Sequence, residues 1–78
     1  MKMIVTVTLL SSDYSFDIQV NGEQKIIDTL AILSDSLSVR LDPVSTIKYV
    51  RSMRTGRRIN TEYTYSQAKI HTGDRLLV

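Results

Sequence analysis

Few residues in this sequence have the chemistry of a catalytic site. His71 is the only histidine, and Asp74 follows it across a turn that we predict at Gly73. A Ser-His-Asp arrangement needs a serine held against the imidazole in a site that excludes water, and an exposed turn provides neither. We therefore interpret His71 as a solvated turn residue, and we predict no catalytic residue and no enzyme activity.

Metal and cofactor chemistry also lacks suitable ligands. The chain contains no cysteine, which excludes a disulfide framework, a thiolate nucleophile and a cysteine-ligated zinc ion. The acidic segment 13–17 lacks the glycine and the closing glutamate of a calcium loop. Gly22, Gly56 and Gly73 stand alone at predicted turns and form no phosphate-binding loop. We predict no metal, no cofactor and no small-molecule substrate.

The clearest surface signal is a basic segment without acidic residues. Five of the ten lysines and arginines lie within residues 48–58, and the rest of the chain has five basic and eight acidic residues. Arginine is suited to bidentate pairing with carboxylates on a protein partner. The predicted protein-binding residues are Lys48, Arg51, Arg54, Arg57 and Arg58.

Two other interpretations of this segment stay open. It could be a solvated hairpin without a partner, or part of a basic nucleic-acid-binding domain. Nucleic acid is the less favoured, because the remaining body is acidic and no platform of exposed aromatic side chains is evident. Tyr49 and Met53 could add apolar contact to a protein interface, although strand alternation could bury either of them.

The secondary structure that would support the basic segment begins with a predicted hairpin at the N-terminal end of the sequence. Residues 3–10 alternate between apolar residues and threonines, which is typical of a strand. Residues 11–15 have the composition of a turn, in which Tyr14 would be exposed, and residues 16–20 alternate again. Two such strands joined by a short turn predict an antiparallel pair.

An amphipathic helix is predicted next, ending near Ser38. Asn21 and Gln24 have capping-box spacing, although the cap itself could lie one or two residues later. Asp42-Pro43 marks the break after the helix. The apolar residues that recur with helical spacing are Ile26, Leu30, Leu33 and Leu37, widened by Ile27 and Ala31.

The remaining pattern predicts strands and short turns. These are a strand at 45–53, a turn at 54–57 with Gly56 at positive φ, a return strand at 58–60, a connector at 61–70 with Tyr65 inward, and a last strand at 75–78. One helix can cover only one face of a sheet. We therefore predict residues 1–78 to be a single α+β domain, a mixed sheet of four to five strands with the first and last strands parallel in its centre. This is the β-grasp arrangement.

The pattern resembles ubiquitin-like proteins over nearly the whole chain. The N-terminal hairpin, the inward helix face and the ending at 64–78 carry the resemblance. A narrower similarity is to the YukD/EsaB family, small ubiquitin-like proteins of the type VII secretion systems of Gram-positive bacteria. It rests on the helix end 33–37, on residues 46–48, on Gly56 and on residues 70–74. In ubiquitin-like folds an inward isoleucine precedes the last strand, which implies that Ile70 points inward.

The resemblance implies a cytoplasmic accessory or regulatory protein without catalytic residues. Its partner would be a cytoplasmic part of the secretion machinery. The alternatives are a ubiquitin-like adaptor of another pathway and the basic nucleic-acid-binding domain. Self-association through an exposed edge strand is compatible with the first interpretation.

The C-terminal residues bear on conjugation. A ubiquitin-type modifier or sulfur carrier needs a flexible tail ending in Gly-Gly, because its carboxylate must reach into the ATP site of an activating enzyme. Here the last glycine is Gly73, and residues 76–78 are predicted to be strand. We therefore expect neither conjugation nor thiocarboxylate chemistry.

The N-terminal residues bear on location. The apolar run in residues 1–10 is short, is interrupted by threonines and lacks a cleavage site of small residues. No segment approaches the roughly 20 apolar residues that span a bilayer. We expect a cytoplasmic protein without direct membrane insertion.

Overall fold

The computed structural model describes residues 2–9, 14–36 and 47–78. The predicted helix end near Ser38 and the Asp42-Pro43 break lie outside the described residues. No helix in the described part of the chain has the length and apolar character to cross a bilayer. The elements in chain order are β1 (Lys2–Leu9), β2 (Tyr14–Asn21), α1 (Ile26–Ser36), β3 (Tyr49–Ser52), β4 (Arg58–Asn60) and β5 (Arg75–Leu77).

The five described strands form one mixed sheet in the order β2-β1-β5-β3-β4. β1 and β5 are parallel neighbours at the centre, with Val7 opposite Leu76. The other neighbouring strands are antiparallel. This topology confirms the prediction that the first and last strands lie side by side and parallel in the centre of the sheet.

Strand alternation and helical spacing build the core as predicted. One side of β1 is buried along its whole length, and Ile26 and Leu30 of α1 are 0% and 1% exposed. Tyr65 and Ile70 point inward, which confirms both predictions. The buried apolar residues of the strands are Met3, Val5, Val7, Leu9, Val20, Val50 and Leu76.

The buried stripe of α1 lies on a different flank of the helix from the one the sequence predicts. Ala31 is exposed, so its assignment to the stripe is wrong. Thr29 is only 5% exposed instead. The buried side of α1 therefore includes the flank of Thr29, and a polar residue occupies a position that hydrophobicity alone could not identify.

The connector, and not Asn21, satisfies the first turn of α1. The amides of Ile26 and Ile27 donate to the carbonyl oxygens of Tyr63 at 3.0 Å and Thr61 at 2.8 Å. These are two of the four amides that a helix start leaves without an internal partner. Asn21 is instead the last residue of β2. The capping-box prediction is therefore wrong, because backbone oxygens brought in by the fold occupy the place of a side-chain cap.

β2 begins earlier than the turn composition predicts. Tyr14 and Ser15 pair with Leu9 and Thr8 of β1, so they belong to the strand and not to the turn. The Ser15 Oγ and Thr8 Oγ1 atoms are 2.9 Å apart. The Tyr14 ring stacks on Phe16 with centroids 5.9 Å apart, yet Tyr14 is 55% exposed, as predicted. Contacts across the strands outweigh the turn preference of serine.

Candidate protein-binding surface

β3 and β4 form the hairpin that carries the basic segment. Val50 and Ser52 of β3 are buried, whereas Tyr49 and Arg51 are exposed on the face turned away from the core. Arg51 lies directly opposite Arg58 of β4. Like charges opposite each other on neighbouring strands disfavour the pairing. An anionic group bound between these two arginines would relieve that repulsion.

An apolar surface adjoins the arginine pair. The Arg58 guanidinium lies over the Tyr49 ring, with Cζ 5.1 Å from the ring centroid. Leu77 of β5 pairs with Arg51 on its other side and is partly exposed. Tyr49 and Met53 are 52% and 53% exposed. Strand alternation therefore buries neither of them, a question that the sequence left open. We refer to Tyr49, Arg51, Arg58 and Leu77 as the basic face.

Arg54 has a different role from its neighbours in the segment. Its Nε donates to Asp74 Oδ1 at 2.8 Å, and its Nη2 donates to Asp74 Oδ2 at 3.3 Å and to the Lys69 carbonyl oxygen at 3.2 Å. The Asp74 side chain is only 6% exposed, while that of Arg54 is 51% exposed. This bidentate pair ties the end of β3 to the turn that leads into β5.

The surroundings of Asp74 set its protonation. Burial alone would raise the pKa of Asp74, but the hydrogen bonds from Arg54 and from the His71 amide lower it below its ordinary value of 3.8. The His71 amide donates to Asp74 Oδ2 at 3.0 Å. Asp74 is therefore a carboxylate under ordinary conditions, and it is saturated by partners within the chain.

This lowered pKa predicts an acid-sensitive contribution to stability. Because the folded pKa lies below the unfolded one, the unfolded chain binds more protons as the pH falls. The contribution is fully present above the unfolded pKa and is lost as the pH falls through the folded pKa, starting below about pH 5. We expect Asp74→Asn to flatten the acid limb of the unfolding free energy, measured with urea between about pH 7 and pH 2. An equally steep limb in this variant would show that another group causes the acid sensitivity.

The five predicted binding residues do not share one surface. Arg51 and Arg58 lie together on the basic face, and Arg54 is bound to Asp74. Lys48 immediately precedes β3 and Arg57 immediately precedes β4, and both side chains are exposed. Sequence reasoning did not identify Asp74 or Leu77 as part of this region, because no periodic spacing connects them to the arginines.

His71 and possible metal ligands give no further site. His71 is exposed, as expected of a turn residue, and its backbone amide donates to Asp74. Within residues 2–9, 14–36 and 47–78, no group of three or more His, Cys, Asp or Glu side chains could hold a metal ion.

Comparison with known proteins identifies the fold. No protein-family model matches the chain, and no curated protein matches its sequence. Among solved structures, the ubiquitin-like domain of Plasmodium falciparum Dsk2 is 13% identical with a TM-score of 0.65, covering 99% of this chain and 97% of that one. The C-terminal ubiquitin-like domain of mouse tubulin-specific chaperone e is 21% identical with a TM-score of 0.71, covering 100% and 84%.

An archaeal structure has the same architecture. Caldiarchaeum subterraneum ubiquitin is 13% identical with a TM-score of 0.71, covering 99% of this chain and 90% of that one. The chain therefore has a ubiquitin-like β-grasp fold, which its described residues build as a five-stranded mixed sheet with one helix, and the predicted fold class is confirmed. At these identities the likeness is one of fold.

Proposed function

We propose that this chain is a non-enzymatic ubiquitin-like module that binds another protein through the basic face. The observation that carries the proposal is the cross-strand pair of Arg51 and Arg58 beside the exposed ring of Tyr49. An acidic patch on the partner would relieve the repulsion between the two guanidinium groups. Tyr49 and Leu77 would supply the apolar contact at the centre of the interface, and the charges would mainly steer the encounter.

The finer proposal is a role as a cytoplasmic accessory or regulatory protein of a type VII secretion system. It is supported by the sequence resemblance to the YukD/EsaB family in residues 33–37, 46–48 and 70–74. The partner would then be a cytoplasmic part of the secretion machinery. A membrane ATPase and small WXG-type secreted proteins encoded beside the gene would support this role, whereas unrelated neighbours would favour an adaptor of another pathway.

The basic face can be tested by removing its two charges together. We expect Arg51→Ala/Arg58→Ala to weaken binding to the cytoplasmic domain of such a neighbouring ATPase at least about tenfold, because two charge-assisted contacts are lost. Arg54 is left in place because its guanidinium is bound to Asp74 within the chain. The measurement is a titration by calorimetry, with circular dichroism confirming that the variant is folded.

A charge-matched control separates the basic face from general electrostatic attraction. Lys2→Ala/Lys25→Ala removes the same charge at the start of β1 and before α1, where Lys25 makes an exposed ion pair with Glu62. This control should bind as the unmodified protein does. Equal losses in both variants would contradict the proposed face. Binding to generic DNA with a steep salt dependence would instead support the nucleic-acid alternative.

A further inference from the structure

A cavity of about 590 Å³ lies between the β3–β4 hairpin and the connector before β5. Its size falls within the roughly 300–1,000 Å³ of ordinary ligand pockets. Ser52 and Ala68, two small side chains, are among the residues that line it. We refer to six of its lining residues as the basic groove: Arg57, Ile59, Ala68, Lys69, Ile70 and His71.

The basic groove combines cationic groups with an apolar surface. Arg57 and Lys69 are exposed, whereas Ile59 is partly buried and Ile70 is 3% exposed. Arg54 also lines the cavity, but its guanidinium is bound to Asp74. None of the lining residues, all of which are described, is an aspartate or glutamate. The groove is therefore positively charged, and no carboxylate in its lining neutralises this charge. It is complementary to an anion that also has an apolar part.

The backbone that carries Lys69 is held in one conformation. Lys69 has a φ of 57°, in the left-handed region, and its amide donates to the Ser66 carbonyl oxygen at 3.1 Å. Its own carbonyl oxygen accepts Arg54 Nη2 at 3.2 Å. Because both backbone groups are engaged, the Lys69 side chain starts from a fixed position beside the groove.

The basic groove lies on the other side of the hairpin from the basic face. Ile59 pairs with the buried Val50, whereas Arg58 pairs with the exposed Arg51. Successive residues of a strand point to opposite faces. The two surfaces are therefore separate, although Arg58 borders both of them.

The neighbouring strand edge favours a peptide as the occupant. The Arg57 carbonyl oxygen accepts the Ser52 amide at 2.9 Å, and the Thr61 amide donates to the Lys48 carbonyl oxygen at 3.0 Å. Backbone groups alternate in direction along a strand, so the amide and carbonyl of Arg58 point to the outer edge. β4 is the last strand of the described sheet, and an extended chain can pair with such an edge.

We propose that the basic groove binds a short acidic segment of a partner protein. An apolar side chain of the segment contacts Ile59 and Ala68, which are partly exposed, and carboxylates beside it pair with Arg57 and Lys69. The Arg57 guanidinium can donate two parallel hydrogen bonds to one carboxylate, and the Lys69 ammonium group pairs with a second carboxylate. This is a second contact, beyond the proposed basic face. The two surfaces share only Arg58, and the variants that test the groove leave Arg58 in place.

The test uses a defined probe, the capped peptide Asp-Glu-Leu-Glu-Asp. We expect its titration into the ¹⁵N-labelled protein to shift the amide resonances of Ile59, Ala68 and Ile70. Arg57→Gln/Lys69→Asn should weaken binding at least about tenfold, since two charged contacts are lost. Asparagine suits position 69 because it tolerates positive φ. Ala68→Leu, which fills the groove and keeps every charge, should weaken binding to a similar degree.

Three controls can overturn this inference. Lys48→Gln/Arg51→Gln removes the same charge outside the groove, and an equal loss of binding would move the contact to the basic face or to non-specific attraction. The neutral peptide Asn-Gln-Leu-Gln-Asn should cause no shifts, and equal binding would remove the role of the charges. Inorganic phosphate that shifted the same resonances at the same concentration would identify a site for free anions instead of a peptide.

Discussion

Leu30→Ala is expected to lower the free energy of unfolding by about 3 kcal/mol. Leu30 is 1% exposed and packs from α1 into the core formed with the sheet. Its truncation removes apolar contact and leaves a cavity that rigid neighbours fill only in part. A domain of this size has a total stability of roughly 4–12 kcal/mol. Urea unfolding followed by circular dichroism should show a large shift of the midpoint, with partial unfolding without denaturant if the stability is near the lower bound.

Ile32 provides the matched control on the same helix. It is 57% exposed, so Ile32→Ala removes a similar side chain that makes little buried contact. We expect a change of less than about 0.5 kcal/mol. Equal losses of stability in both variants would contradict the assignment of Leu30 to the buried face of α1.

Arg54→Ala is expected to cost about 2 kcal/mol of stability, which is large for an arginine whose side chain is 51% exposed. The reason lies in the partner. Removing the guanidinium leaves the Asp74 carboxylate, 6% exposed, without two of its hydrogen bonds. It also releases the Lys69 carbonyl oxygen. Urea unfolding at neutral pH measures the effect.

Two further variants show whether the ion pair is the cause. Arg51→Ala removes an arginine five positions before Gly56 in the turn of the same hairpin, yet it should be neutral or slightly stabilising, because it relieves the repulsion with Arg58. In a double-mutant cycle of Arg54→Ala and Asp74→Asn, the double variant should lose less stability than the sum of the losses in the two single variants. Full additivity would mean that Arg54 stabilises the fold through some other contact.

The role of Arg54 links stability to both proposed surfaces. The ion pair fixes the end of β3 against the turn before β5, and it binds the carbonyl of Lys69 at the groove. Loss of Arg54 would therefore disturb the hairpin as well as any contact that Arg54 itself makes with a partner. A binding experiment that includes Arg54→Ala mixes these effects, which is why the variants proposed for both surfaces retain Arg54.

Local sequence patterns predicted most of the fold. The alternation in β1, the helical spacing of Ile26 and Leu30, and the turn at Gly56, whose φ is 71°, depend on neighbours within a few residues. The resemblance to ubiquitin-like proteins added the inward position of Ile70. The same local patterns failed at Asn21 and Ser15, where contacts with distant residues prevailed.

By itself, the sequence determined the order of elements, the core-facing residues and the presence of a basic hairpin. Only the tertiary structure decided what each arginine does. The strand register sets Arg51 opposite Arg58, the fold brings Asp74 to Arg54 across 20 positions, and the connector closes the groove beside Arg57. The charge and hydrophobicity of each residue follow from its type alone. The pairing of charges depends instead on strand register and turn geometry, and packing across the whole chain sets both of these.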